Sequence, residues 1–125
     1  MARNIVFIIA GISVITGFYV FFAPQRFYNM TPGVEMMGPF NIHFIRDVGL
    51  VFLASGGAMG WGAWKLNPPV AIAGATWPAL HAVFHIQIWG ARGFPFDSIF
   101  GFDLVAVIFP AFIGLLSAFK LQPKP

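Results

Sequence analysis

Residues 41–64, NIHFIRDVGLVFLASGGAMGWGAW, place three ionisable side chains at the head of a long apolar segment. These side chains are His43, Arg46 and Asp47. An isolated Arg or Asp near the centre of a bilayer costs about 2.5–3.5 kcal/mol, so such residues are usually paired and often functional. On a helix, Asp47 lies one turn beyond His43, and Arg46 flanks both. The segment therefore predicts a transmembrane helix with a polar head.

The composition of the whole chain also indicates a membrane environment. The chain has 125 residues, of which 58% are hydrophobic and 9% are charged, against about 25% charged residues in soluble proteins. This is too little polar surface for a soluble globule, and the length predicts one domain. The scattered Lys and Arg residues form no basic run, so nucleic acid is not an expected partner. The absence of cysteine excludes disulfides, thiol catalysis and Cys-ligated metals.

Three further apolar segments complete the predicted fold. Each is long enough to cross a hydrocarbon core of about 30 Å. The first is longer than the ~7–15 residues typical of a signal-peptide core, and no typical cleavage site follows it. We therefore predict an all-α integral membrane four-helix bundle that forms a single transmembrane domain over residues 1–125, with helices at about 5–23, 41–64, 70–90 and 99–120.

Small residues predict how the helices pack. Gly56 and Gly60 form a small-xxx-small pair in the second helix, a pattern that lets two helix backbones approach closely. Gly11 and Gly17 offer similar small patches in the first helix. The second helix is therefore expected to lie centrally in the bundle.

The distribution of charge predicts the orientation. One side of the membrane receives cations and no acidic residue, namely Arg3, Lys65, Lys120 and Lys124. On the other side, two cations are offset by two acids, namely Arg26, Arg92, Glu35 and Asp97. Because Lys and Arg favour the cytoplasmic side, we predict a multi-pass protein of the cell membrane with both termini in the cytoplasm.

Helical rise then predicts that polar side chains from three helices share one depth. At about 1.5 Å per residue, all three histidines of the chain fall in the outer half of the bundle with an arginine and two aspartates. These residues are His43, Arg46, Asp47, His81, His85 and Asp103. Their shared depth is the main indication of a functional site.

One interpretation of this layer is a metal or haem site. His81 and His85 have the i,i+4 spacing with which two imidazoles on one helical face can chelate an ion, and His43 and Asp47 could complete the shell. A transition metal would fit such ligands. Haem b would need His43 opposite one of the other two, since histidines on adjacent turns cannot be opposite axial ligands.

A second interpretation is a small-ligand or proton site. Arg46 could hold an anionic or quinone-like headgroup, His and Asp side chains could relay protons, and aromatic side chains could wall the cavity. The candidate ligand-binding residues are His43, Arg46, Asp47, Asp103 and Trp77. No catalytic triad, P-loop or dinucleotide fingerprint is present, and the sequence leaves open whether the chain is an enzyme.

The structural alternative needs no ligand. Arg46 and Asp47 could form a buried ion pair, or Arg46 could bridge Asp47 and Asp103, which would fix the helix register. The histidines would then only form hydrogen bonds between helices. In that case the protein is a non-catalytic accessory subunit of a larger membrane complex, or one copy of a homo-oligomer, with the lipid bilayer as its common partner.

The spacing of the polar residues also resembles known proteins. The pattern His43-x2-Arg46-Asp47-x-Gly49, followed by His81-x3-His85 in the next span, resembles a group of small, uncharacterised bacterial four-helix membrane proteins. The layout is loosely similar to DoxX-like proteins, some of which are associated with quinone-linked redox complexes. The resemblance implies a four-helix bundle and a role for the His, Arg and Asp residues, and it supplies no reaction.

Overall fold

The computed structural model describes residues 1–123, so Lys124, one of the predicted cytoplasmic cations, lies outside the described residues. Within residues 1–123 the chain is all-helical and contains no strand. Its helices are α1 (Ala2–Phe22), α2 (Pro24–Met30), α3 (Ile42–Lys65), α4 (Pro68–Ala91) and α5 (Ser98–Phe119). The bounds of the four long helices lie within three residues of those predicted.

Short polar caps explain where three of the long helices begin. Each of α3, α4 and α5 follows an Asn or Asp side chain that accepts the backbone N–H three residues further on. The caps are Asn41, Asn67 and Asp97. Such a cap satisfies one of the N–H groups that a helix start leaves unpaired. The connector between α1 and α3, predicted as turns, also contains α2 and a single 3₁₀ turn at Val34–Met37.

The four long helices pack side by side in an antiparallel ring. Both α1 and α4 pack against α3 and α5, so each long helix has two long neighbours. Arg3 meets Ala63, and His85 meets Asp103. One end of the ring therefore carries the start of α1 and the α3–α4 turn, and we call it the terminal end. The opposite connector end carries the α1–α3 connector and the α4–α5 loop.

Glycine allows a close approach between α1 and α3. A β-carbon at Gly17 would lie 2.8 Å from the carbonyl oxygen of Gly49, and one at Gly56 would lie 2.8 Å from that of Ala10. Both distances are too short for a real side chain. At Gly60 a β-carbon would be 3.7 Å from its nearest neighbour, an ordinary contact. Nothing lies within 4 Å of a β-carbon at Gly11. The predicted close packing is thus confirmed at Gly17 and Gly56 and wrong at Gly11 and Gly60.

Small side chains lie inside the bundle and large apolar ones outside, the reverse of the arrangement in a soluble protein. The buried positions are dominated by small residues, among them Ala10, Ala63, Ala71, Ala75, Ala82 and Ala118. Large apolar residues point outward on the long helices, for example Ile8, Ile15, Phe22, Leu80, Phe109 and Leu116. Of the helices in residues 1–123, α1, α3 and α5 are long and apolar enough to cross a membrane. Helix α4 is as long as α3, but its two histidines, Gln87 and prolines make it less apolar.

Candidate functional site

The structure divides the predicted polar layer into two groups. His43, Arg46 and Asp47 lie on the exposed surface of α3 near the connector end. His81 and His85 of α4 lie inside the bundle against Asp103 of α5. A shared depth was therefore not sufficient to bring all six residues together, because the two groups occupy different faces.

The α3 group forms no buried ion pair. His43 Nε2 lies 3.5 Å from Asp47 Oδ2, and the two side chains are 88% and 54% exposed. Arg46 donates from Nε to the carbonyl oxygen of Phe21 at 3.3 Å, and its guanidinium lies 5.5 Å from the Phe21 ring. No carboxylate of residues 1–123 forms an ion pair with Arg46. The predicted pairing of Arg46 with Asp47 or Asp103 is thus wrong.

The second group is a continuous chain of three polar side chains, which we call the Asp-His-His chain. Nδ1 of His85 lies 3.0 Å from Oδ1 of Asp103, and these side chains are 22% and 8% exposed. Nε2 of His85 lies 3.1 Å from Nε2 of His81. His85 therefore stands between a buried carboxylate and a second imidazole. The carboxylate lies off the Nδ1–H direction, so Nδ1 has a close ionic contact but no well-aligned hydrogen bond.

Aromatic rings hold the far end of this chain. The Trp77 ring stacks on the His81 ring with centroids 4.9 Å apart and an angle of 10° between the planes. Phe52 of α3 presents its edge to both rings, at 5.0 Å and 6.5 Å between centroids. This packing restricts the rotation of His81 about its side-chain bonds. Trp77, predicted as a wall of the site, does lie beside His81.

Asp103 is buried because of an irregularity in α5. Residues Asp103–Ile108 form a π-helical turn, and the N–H of Phe109 donates to the carbonyl of Leu104, five residues back. Pro110 follows this turn. Proline has no N–H, and its ring crowds the carbonyl four residues before it. A wider turn gives that ring room, and π turns of this kind are frequent at functional sites.

The π turn also sets the direction of the Asp103 side chain. In a regular helix, at about 100° per residue, Asp103 and the buried Ala111 would lie about 80° apart around the axis. The extra residue of a π turn removes about 100° of that rotation, which leaves the two about 20° apart. Asp103 thus joins the face that buries Ala111, Gly114 and Ala118. Periodicity in the sequence could not reveal this, because it assumes one constant turn.

The predicted four-ligand metal site does not assemble. His43 and Asp47 lie in the exposed α3 group, apart from His81 and His85. Across residues 1–123, no three His, Asp or Glu side chains form a group that could hold a metal ion. What remains is the pair of Nε2 atoms on His81 and His85.

A compact aromatic loop covers the connector end next to the site. Trp89, one turn beyond His85, donates from Nε1 to the carbonyl of Pro95 at 2.8 Å and stacks on Phe100 at 4.3 Å between centroids. Arg92 pairs with Asp97 at the start of α5. The backbone N–H of Phe100, together with Arg92, holds the pKa of the Asp97 carboxyl below its usual value. These contacts fix the loop that joins the two helices of the Asp-His-His chain.

An apolar groove of about 320 Å³ lies along α4 and α5, and residues such as Leu80, Val83 and Phe112 line it. None of the predicted site residues lines this groove. It therefore gives no support to a polar headgroup bound by Arg46.

Comparison with protein-family models, curated proteins and solved structures finds no match for this chain. The resemblance to small four-helix membrane proteins and to DoxX-like proteins consequently stays a prediction.

Proposed function

We propose that this chain is an integral membrane four-helix bundle with a buried site that binds and exchanges one proton. The observation that carries the proposal is the Asp-His-His chain, in which Asp103, His85 and His81 follow one another at 3.0 and 3.1 Å. Ionisable groups inside a membrane are rare and usually mark a functional site.

The membrane environment is supported by the distribution of side-chain size. Helices that pack in lipid use small residues between them, because lipid chains are as apolar as the side chains that face them. Three long helices meet the length and composition of a span. Helix α4 packs along α3 and α5 and carries no Lys, Arg, Asp or Glu. We take it as the fourth span, with its histidines inside the bundle.

The orientation that we propose puts both termini in the cytoplasm. Three cations, Arg3, Lys65 and Lys120, belong to the terminal end, and every acidic residue of the sequence lies elsewhere. In intact cells, a cysteine at the exposed Gln25 should react with a membrane-impermeant thiol reagent, and one at the exposed Gln122 should not. The opposite labelling pattern would show that both termini lie outside the cell.

The neighbouring polar atoms favour one placement of hydrogen on the two rings. The Asp103 carboxylate, 3.0 Å from Nδ1 of His85, favours a hydrogen on that nitrogen, so a neutral His85 has a lone pair on Nε2. That lone pair accepts from Nε2–H of His81, which leaves Nδ1 of His81 able to take a proton. If a proton binds there, the hydrogen on Nε2 of His81 can move to His85. His85 then becomes an imidazolium beside the carboxylate, and the reverse steps return the proton.

The charge of the site favours holding this proton. With both rings neutral, Asp103 is an uncompensated anion in a buried position, and burying a lone charge is costly. One added proton makes the Asp-His-His chain neutral overall. Among residues 1–123, no Lys or Arg pairs with Asp103, and Arg46 lies on the exposed surface of α3 and bonds to Phe21.

Exchange should occur from the connector end alone. The terminal half of the bundle is filled by apolar residues, including Val6, Ile9, Met59, Ala71 and Ala118. None of these can carry a proton onward. The geometry therefore suits a proton reservoir for a bound molecule or a partner subunit better than a transmembrane proton path.

Nitrogen NMR of protein with 15N-labelled histidine, reconstituted in lipid, tests the proposal. The variant His43→Gln removes the signal of the exposed histidine and leaves those of His81 and His85. We expect the hydrogen on Nδ1 of His85 and on Nε2 of His81 in the deprotonated state, and an imidazolium after uptake of a proton. Asp103→Asn should change the spectra of both rings.

Two results would contradict the proposal. The first is a pair of independent imidazole spectra that Asp103→Asn leaves unchanged. The second is proton passage across the whole membrane. Vesicles that contain a pH-sensitive dye should show the proton leak of bare lipid, and a leak that requires His85 would make the site part of a transmembrane path.

A shared metal ion is the second candidate, and the ring geometry supplies its support. Two metal–nitrogen bonds of about 2.0–2.1 Å can span two Nε2 atoms 3.1 Å apart. Metal-binding histidines commonly have a carboxylate behind the other ring nitrogen, as His85 has Asp103. Further ligands would have to be water or groups from another chain. Elemental analysis showing a stoichiometric metal that His85→Ala removes would favour this function, and a Soret band would indicate haem.

A further inference from the structure

The terminal end of the bundle carries cations that have no carboxylate partner in residues 1–123. Arg3 begins α1, Lys65 ends α3, and Lys120 follows α5. The ion pairs of the described chain involve Asp47, Asp97 and Asp103, which belong to the connector half. The terminal end therefore presents uncompensated positive charge.

Arg3 is held in place across two helices. Its Nε donates to the carbonyl oxygen of Ala63 at 3.1 Å, and its guanidinium carbon lies 5.5 Å from the Phe7 ring. Ala63 belongs to the last turn of α3, two residues before Lys65. The bond to Nε leaves the two terminal nitrogens of the guanidinium as further donors. An arginine presented in this way suits two-pronged binding of a phosphate.

The Lys65 ammonium group lies over two tryptophan rings. Its Nζ lies 4.3 Å from the centroid of the Trp64 ring and 5.1 Å from that of the Trp61 ring. The two indoles meet edge to face at 5.2 Å, and each is more than half exposed. Exposed tryptophans at the end of a span are typical of the headgroup level of a bilayer.

We infer that this end binds the headgroup of an anionic phospholipid, with Arg3 and Lys65 contacting the phosphate and the two tryptophans lying against the glycerol and upper acyl region. The inference rests on the proposed insertion of the bundle in a membrane and does not depend on the proton site. A lipid fits better than a soluble anion because the cations adjoin exposed apolar side chains, Phe7 beside Arg3 and Trp61 beside Lys65. Basic residues beside a span are attracted to anionic lipid by about 1 kcal/mol each.

Quenching of tryptophan fluorescence by brominated lipid tests this site, because Trp61 and Trp64 would report directly on the lipid beside them. The full chain with Trp89→Phe, which removes the half-buried indole of the connector end, is reconstituted in brominated phosphatidylcholine. Unbrominated phosphatidylglycerol or phosphatidylcholine is then added in increasing amounts. We expect phosphatidylglycerol to relieve the quenching at a lower mole fraction.

Matched variants locate the effect. Arg3→Gln and Lys65→Gln should each weaken the preference for phosphatidylglycerol about five-fold, which corresponds to about 1 kcal/mol per basic residue. Arg26→Gln removes an exposed cation from the connector end and should leave the preference unchanged. Glutamine keeps a donor for the Ala63 carbonyl, so loss of the fold is not expected in Arg3→Gln.

Three outcomes would overturn the inference. They are equal relief by both lipids, an equal effect of Arg26→Gln, and relief by millimolar inorganic phosphate in place of lipid. Failure of bundle insertion gives a different signature, since brominated lipid would then not quench Trp61 and Trp64 at all. The histidine NMR spectra of Arg3→Gln should match those of the parent protein, which separates this site from the proton site.

Discussion

Nδ1 of His85 and Oδ1 of Asp103 lie 3.0 Å apart across the seam between α4 and α5. Both side chains are largely buried, with exposed fractions of 22% and 8%. The surrounding packing is apolar, with Ala82, Ile108 and Ala111 buried beside the contact, and apolar burial has no directional preference that would fix the rotation of one helix relative to the next. The polar contact therefore sets the register of α4 and α5 as well as the chemistry of the site.

Removal of the two aspartates should have very different consequences. Asp103→Ala removes the carboxylate that lies 3.0 Å from the buried Nδ1 of His85 and leaves that nitrogen without a polar neighbour, and we expect it to lower the free energy of unfolding by about 1–3 kcal/mol. Asp47→Ala breaks a contact between two exposed side chains and should cost less than about 1 kcal/mol. Unfolding of both variants in mixed detergent micelles measures the difference. Equal losses would mean that Asp103 is not buried against His85.

Double-mutant cycles should show that His85 is the central member of the Asp-His-His chain. His85 contacts both other members, whereas His81 and Asp103 communicate through it. We expect a coupling energy of about 1–2 kcal/mol between His85→Ala and Asp103→Ala, within the range for residues in contact. The coupling between His81→Ala and Asp103→Ala should be smaller. A larger value for the second pair would reverse the order of the chain.

Several features of the fold could be read from the sequence, and the reason is physical. Long apolar runs bounded by capping and turn residues predict helix ends, as they did for α3 between Asn41 and Leu66. Depth along a helix also follows from residue counting, so His85 and Asp103 were expected at one level.

The rotation of each helix about its axis could not be read in the same way. Arg46 lies at the predicted depth but faces outward, where Phe21 of α1 supplies its hydrogen-bond acceptor. An amphipathic pattern could have revealed this, but in a membrane both faces of a helix are apolar. The π turn at Asp103 adds a second rotation that no constant period contains.

Two adjacent glycines of α3 should respond to alanine in opposite directions. A β-carbon at Gly56 would lie 2.8 Å from the backbone oxygen of Ala10, whereas nothing lies within 4 Å of one at Gly57. We expect Gly56→Ala to destabilise the bundle by about 1–3 kcal/mol through overpacking. Gly57→Ala should be neutral or stabilise it by up to about 1 kcal/mol, since alanine favours a helix over glycine. Thermal unfolding in detergent measures both, and destabilisation by Gly57→Ala would place the α1 contact on the other face.

Deletion of one residue should remove the π turn of α5 without separating Asp103 from His85. Ala106 is exposed within the turn. Its deletion together with Pro110→Ala, which removes the crowded ring, lets α5 continue as a regular helix. Asp103 and Ala111 then stand seven positions apart, about 20° from alignment. We expect the coupling energy between His85→Ala and Asp103→Ala to persist in this background.

Deletion of Ile113, also with Pro110→Ala, is the matched control. It removes one exposed residue from the regular part of the same helix, so the helix is shortened equally. This part of α5 is regular and holds no extra residue, so the deletion rotates everything after position 113 by about 100° relative to Asp103. Gly114 and Ala118 then turn away from the interior while Asp103 keeps its place, and the bundle should unfold at a markedly lower denaturant concentration. Equal stability of the two deletions would show that the π turn does not place Asp103, and the burial of its carboxylate would need another cause.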